Sequence, residues 1–320
     1  MISSSLIWAL LIAFLLSSIL TIGLNILFRY LGKEGFLGNL FPNVRGGIPR
    51  SIGLVPFILL AFCLPTGYNN LVLIIGIFAF IDDVLGRRRF FELPIEWGQL
   101  SRGIGIILVM IIGFRLGFGY SSILIAFLVQ PINISDMQPG STCIVTIIMS
   151  IITAILMLIL GTGNIQEIPA YYTPLLILVV CLGYCPLDFA GKIMLGEVGN
   201  HAFAVALGIS FYMIGGFIPT LILTIATICL SAFVRRSTLK VFFIKRLKIK
   251  NPTFGDYFMD VLTGGGLGDL LRRVIIGKKQ YNVKNSILIL LGFRRLLYNP
   301  YAKKDNTSFS KYDNEKPRLY

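Results

Sequence analysis

The sequence predicts an all-α fold: a polytopic membrane helix bundle of about nine to ten transmembrane helices, with the N-terminus outside. Two observations predict it. Hydrophobic residues make up 55% of the chain and charged residues only 14%, with a mean hydropathy of +0.80. A soluble domain of this length would need far more charge to cover its surface. The second observation is a pattern: apolar spans alternate with loops, and Lys/Arg fall almost wholly in every second loop, as on a cytoplasmic side.

The first span, near residues 5–28, is too long for a signal-peptide core. It shows no basic stretch after Met1 and no small-residue cleavage pattern, so it reads as a retained helix. Eight more spans follow, near 51–65, 70–82, 103–119, 120–132, 143–162, 172–187, 200–214 and 217–234. Several fall short of the ~20 residues that cross a bilayer, so some are thin-spanning or buried within protein. Proline and glycine mark the joints, at Pro65-Thr66-Gly67, Pro131, Gly161-Thr162-Gly163, Pro186 and Gly215-Gly216. The loops after spans one, three and seven carry Arg29, Lys33, Arg45 and Arg50, then Arg87 to Arg89 and Arg102, then Lys192. The opposite loops offer only Arg115.

Charge divides the chain into three parts: a bundle at 1–234, a basic cytoplasmic or interfacial segment at 235–300, and a mobile tail at 301–320. Residues 235–320 hold 19 of the 29 Lys/Arg and 6 of the 15 Asp/Glu, which puts nearly all of the +14 net charge there. Such a stretch suits anionic membrane lipids, at about 1 kcal/mol per basic residue near the surface. It carries no DNA- or RNA-binding signature, so nucleic acid is not an expected partner. Five cysteines without ligand spacing read as small buried hydrophobes, and a lone His201 excludes a multi-histidine zinc site.

Against this apolar background, acidic residues gather on the side of the basic loops. Asp82-Asp83 closes the third span, where carbonyl dipoles make two carboxylates electrostatically disfavoured. A cation must offset them, either the run Arg87 to Arg89 or Mg²⁺, which takes oxygen ligands. Asn133 and Asp136 precede Pro139-Gly140, as turn formers or as groups that orient a sugar, a nucleotide or a metal-bound water. The run from Asp188 to Asn200 sets glycines around Glu197 at the start of span eight, where backbone amides can receive phosphate. Lys192 is a phosphate contact or a topology anchor, and Arg45 and Arg50 read as diphosphate forks or as anchors.

Four segments, in this order, resemble the polyprenyl-phosphate N-acetylaminosugar-1-phosphate transferases (glycosyltransferase family 4), which include phospho-N-acetylmuramoyl-pentapeptide transferase. They are Arg45 to Gly53, Asp82-Asp83, Asn133 with Asp136, and Met194-Leu195-Gly196-Glu197-Val198-Gly199. The match spans residues 1–234 and looks like a short, divergent branch. It implies Mg²⁺-dependent transfer of an amino-sugar 1-phosphate from a UDP-amino sugar to polyprenyl phosphate, releasing UMP, at the cytoplasmic face of a cell membrane, for cell-envelope glycan synthesis. It places Asp82, Asp83 and Glu197 at the metal or its near shell, and Arg45 and Lys192 on phosphates. Asn133 and Asp136, counted with the aspartate pair as catalytic, orient the nucleotide-sugar or the lipid phosphate. A homodimer is compatible with the sequence. Glu197 stands where the family usually has aspartate, and the family's late histidine cluster is absent, which argues against a muramoyl-pentapeptide substrate. The competing expectation is a non-catalytic protein that binds lipid phosphate or assembles with partners; a transporter fits less well, since these charges cluster at one face.

On a cysteine-free background, single cysteines at positions 68 and 166 are expected to label from outside, and those at 88 and 240 only after permeabilisation. Labelling of position 88 from outside would overturn the orientation.

Overall fold

A computed structural model describes residues 4–42, 47–86, 96–162, 164–165, 168–249, 251–277 and 279–299. Arg45, Arg87 to Arg89 and the 301–320 tail lie outside the described residues. The chain is an all-α polytopic bundle, with a single two-residue hairpin (164–165 with 168–169) among the described residues. It divides into two compact units, 1–227 and 228–320. The division falls seven residues before the expected one at 234, inside the last long apolar helix.

The first unit begins with α1 (Ser4–Lys33), followed by α2 (Leu54–Cys63), α3 (Tyr68–Leu85) and α4 (Trp97–Gly113). Next come α5 (Ser121–Phe127), α6 (Val129–Ser135), α7 (Ser141–Leu160), α8 (Tyr172–Phe189) and α9 (Gly196–Gly215), and α10 (Phe217–Val234) runs across the boundary. Seven helices are long and apolar enough to cross a membrane: α1, α3, α4 with its π-helical continuation to Phe118, and α7 to α10. The spans expected near 51–65 and 120–132 are shorter than that. The first is the ten-residue α2, about 15 Å long. The second breaks at Leu128 into α5 and α6, because Pro131 has no amide hydrogen to give at the junction and Ser135 Oγ bonds back to the Pro131 carbonyl at 2.8 Å.

Helix α9 is the centre of the unit and packs against α2, α3, α5, α6, α7 and α8. Its composition explains why. Glycine and alanine at Gly199, Ala202, Ala204, Ala206 and Gly208 let neighbouring backbones approach, as small residues do between membrane helices. A Cβ on Gly208 would stand 2.9 Å from Ile125 Cα of α5. At the other extreme, α1 leaves Ile7, Trp8, Leu11, Ile12, Leu15, Leu16 and Ile19 exposed, a flank suited to hydrocarbon.

Connections between helix ends place the later site. The segment before α2 runs beside the segment before α9: Met194 N–H donates to Pro49 O at 3.0 Å, Ile52 N–H to Met194 O at 3.2 Å, and Gly53 N–H to Leu195 O at 3.1 Å. Ser51 takes a positive φ of 65° within this run. Glycine is required at Gly53, since a Cβ there would sit 2.6 Å from Gly199 Cα.

The second unit fills a stretch whose fold the sequence left open. Helix α11 (Arg236–Lys245) buries Leu239 and Phe243 and exposes Val241 and Ile244. Beyond it lie α12 (Phe254–Thr263), α13 (Gly265–Ile276), α14 (Ser286–Leu290) and α15 (Phe293–Leu296). Helix α12 starts with a reciprocal Thr253–Asp256 cap. It is tied to α15 by two ion pairs, Arg294–Asp256 and Arg295–Asp260, each 2.5 Å. In the sequence these arginines and aspartates read only as part of a basic tail.

Gly53→Val is expected to destabilise the first unit by about 1–3 kcal/mol through overpacking, read as a lower melting temperature in detergent. An unchanged melting temperature would show that the two segments do not pack this closely.

Candidate functional site

Asp82 and Asp83 lie in the last turn of α3, which stops when the Gly86 N–H returns to the Asp82 carbonyl at 2.8 Å. The carboxylates therefore stand at the negative end of the helix dipole, and something positive has to offset them. Among the described residues, two arginines do so. Arg50 Nε reaches Asp83 Oδ1 at 3.1 Å and its Nη2 lies 3.7 Å from Glu197 Oε1. Arg102, from the second turn of α4, puts Nη1 3.2 Å from Glu197 Oε2 and Nε 3.8 Å from Asp82 Oδ2. Two guanidiniums thus bridge three carboxylates.

The N-terminus of α9 supplies further positive potential. Its capping position is Leu195, whose side chain accepts nothing. The Asp83 carboxylate takes that role from another helix, accepting the Glu197 N–H at 3.0 Å and the Val198 N–H at 3.2 Å. Asp83 is fully buried, so these bonds have no competition from water. The sequence suggests the start of α9 as a place for phosphate; its Glu197 and Val198 amides hold a carboxylate of the chain itself. The glycine before Glu197 is required here: Gly196 has a φ of 69°, and a Cβ on it would meet Asp83 Oδ2 at 2.5 Å and Ser51 Oγ at 2.9 Å.

The device occurs twice. Helix α7 begins after Gly140, which has no side chain to cap it, and Asp188 at the end of α8 accepts the Gly140 N–H at 2.9 Å and the Cys143 S–H at 3.3 Å. Asp188 is thereby a cross-helix cap. Cys143, Cys181 and Cys185 are buried, as expected of small hydrophobes, while Cys63 and Cys229 are half-buried.

One turn further along α9, Asn200 gathers the Asn133–Asp136 segment. Its Nδ2 donates to Asp136 Oδ2 at 2.9 Å and to Asn133 Oδ1 at 3.4 Å, while its own Oδ1 is buried without a hydrogen-bond partner. His201, fully buried, donates from Nδ1 to the Glu197 carbonyl, so that nitrogen carries the hydrogen. Lys192 is exposed, and no hydrogen bond or ion pair joins its ammonium to this network among the described residues. Its carbonyl accepts from Arg29 Nη2 at 2.7 Å, which ties the end of α1 to the same end of the bundle.

The polar groups of this network therefore meet at one end of the first unit. Asp82, Asp83, Glu197, Asn133 and Asp136 are brought together as the sequence pattern expected; Lys192 is not joined to them. Arg102 and Asn200 are additions. In the sequence Arg102 counts only as topology charge, and its one signal is a lone arginine early in an otherwise apolar helix. Arg50 sits deep enough that burial pulls its guanidinium pKa down. The carboxylates of Asp83, Glu197, Asp82 and Asp136 outweigh that and hold it above its ordinary value. Gly98 makes room for Asp82, since a Cβ there would run into the carboxylate.

The donor set is all carboxylate oxygen, the chemistry a hard cation such as Mg²⁺ takes. Glu197 and Asp82 keep side-chain exposures of 15% and 12%, whereas Asp83 is closed off. Among the described residues, no three His, Cys, Asp or Glu side chains converge as a ready metal-holding group. Compared with known proteins, the chain matches no protein-family model and no curated protein.

Asp83→Asn is expected to cost about 3–5 kcal/mol, because it strands Arg50 beside Glu197 and weakens the cap on α9. A melting temperature in detergent within about 1 °C of wild type would show that this pairing contributes little.

Proposed function

We propose that this chain is a Mg²⁺-dependent glycosyl-1-phosphate transferase, moving an amino-sugar 1-phosphate from a UDP-amino sugar to polyprenyl phosphate with release of UMP. The observation that carries the reading is the meeting, at one end of an apolar bundle, of three carboxylates from two helices with two arginine forks. Beside them Asn200 holds Asp136 and Asn133. Described residues from all four segments of the family resemblance contribute, Arg50 standing for the first. The Lys/Arg distribution supports a cytoplasmic site in a multi-pass cell membrane, and the basic 235–300 segment supports contact with anionic lipids.

Carboxylate oxygens are the ligand type that Mg²⁺ takes, and Asp82 and Glu197 would hold the ion, with Asp83 in its near shell. When bound, the ion supplies neutralisation of phosphate charge. The chain's own groups do the rest. Asp83 fixes the start of α9 and hence the reach of Glu197. Arg50 and Arg102 present planar forks suited to phosphate oxygens. Asn200 sets the orientation of Asp136 and Asn133, the pair that would position the nucleotide-sugar or the lipid phosphate. Phosphoryl transfer is mostly positioning and charge stabilisation, which is what such an arrangement offers. The polyprenyl chain would lie along the exposed apolar helix flanks.

A second reading has an observation of its own. The carboxylates are already bridged by arginines, as suits a resting protein that binds lipid phosphate or assembles with partners without turnover.

Purified protein with polyprenyl phosphate, Mg²⁺ and a panel of UDP-amino sugars is expected to release UMP. Asp82→Asn and Glu197→Gln should each lower the rate by about 100-fold or more, while Glu197→Asp reduces it without erasing it. These are cleaner tests than Asp83→Asn, whose structural role confounds the rate. Release of no UMP from any sugar would leave the non-catalytic reading in its place.

A further inference from the structure

The two arginines at the site are held differently: the Arg50 backbone is fixed and its side chain is 30% exposed, while the Arg102 side chain is 12% exposed. Arg50 is fixed by the paired backbone of residues 49–53 and 194–195, its own N–H donates to Leu40 O at 2.8 Å, and its Nε meets Asp83 at 3.1 Å. Arg102 arrives alone from α4. Its side chain makes one hydrogen bond among the described residues, Nη1 to Glu197 Oε2 at 3.2 Å; its Nε, 3.8 Å from Asp82, is buried with no hydrogen-bond partner. Five donors in a planar fork make the guanidinium costly to bury half-satisfied. The two carboxylates it bridges, Asp82 and Glu197, are the two that retain solvent exposure.

We infer that Arg102 is an exchangeable counter-ion: a divalent cation displaces it from Asp82 and Glu197, and the released fork then binds a phosphate oxygen of the substrate. The inference rests on the metal-dependent reading above and adds to it a specific residue and an order of events. A cation held between Asp82 and Glu197 would occupy the position of a guanidinium, and two positive groups cannot share it. Release is then driven by repulsion, and the freed Arg102 has its unsatisfied donors to place. Cation and phosphate binding become coupled through one side chain, and by linkage each tightens the other.

The wild-type protein tests this without turnover. Phenylglyoxal modification of Arg102, mapped by mass spectrometry, is expected to be slow in EDTA and to rise at least several-fold with Mg²⁺. Adding UDP or polyprenyl phosphate should suppress it again; protection by UDP assigns the fork to the nucleotide, and protection by the lipid assigns it to the acceptor. Unchanged or reduced labelling with Mg²⁺, or protection by neither phosphate, overturns the proposal. Arg102→Gln gives a second readout: the Kd for Mn²⁺ alone, measured by electron paramagnetic resonance, should fall at least tenfold. Arg102→Lys, which keeps the charge without the fork, should stay within threefold of wild type. Equal Mn²⁺ affinity in wild type and the Gln variant overturns displacement. If UMP release fails while these shifts occur, the transferase reading falls and the counter-ion exchange stands. If UMP is released without the shifts, the exchange falls and the transferase reading stands.

Discussion

The buried carboxylate of Asp83 is the interaction on which the first unit depends. It lies at the negative end of one helix and satisfies the positive end of another, with Arg50 closing the charge. A buried anion is costly unless paired and hydrogen-bonded, and here each oxygen takes a backbone amide while one also meets a guanidinium. Because Leu195 cannot cap α9, the helix that packs against six others is started by a residue on α3. The position of Glu197, and through it of Asn200, follows from that one contact.

Asp188 repeats the solution between α8 and α7. In both cases a glycine-rich entry to a helix gives up its own side-chain cap, so that a carboxylate from a neighbouring helix can reach the amides. The two contacts join helices through their ends, where the dipoles are strongest, rather than along their apolar flanks. Under the proposed function, chemistry and scaffold would share atoms at this end of the bundle, and a rate effect at Asp83 could be separated from a stability effect only by measuring both.

Much of this was legible in the sequence. Composition and span pattern were enough for an all-α membrane bundle, and the position of each acidic residue relative to the loops was enough to expect one cluster at one end. The lengths of α2 and α5–α6 were less legible, since an apolar run does not reveal where a helix breaks within it. Pairing was least legible. Arg102 looks like any positive-inside residue until α4 lies on α3, and the Arg294–Asp256 and Arg295–Asp260 pairs join residues 35 or more apart whose local context is a basic tail. The run Arg87 to Arg89, adjacent in sequence to Asp82-Asp83, was the natural counter-ion to expect. That run lies outside the described residues; among those described, the carboxylates pair with arginines supplied by the segment before α2 and by α4.

That choice of arginines bears on how the chain is made. Arg50 is synthesised before Asp82-Asp83 and Arg102 soon after, whereas Glu197 and the α9 amides emerge more than a hundred residues later. A helix hairpin entering the bilayer with two unpaired carboxylates would be poorly retained. Guanidiniums that are near in sequence can shield those charges while the central helix is still unmade, and α9 then docks onto a pair already neutral enough to wait for it. The late arrival of Glu197 converts a provisional two-arginine shield into the finished carboxylate–arginine network, so its assembly is gated by translation of the sixth of the seven long helices.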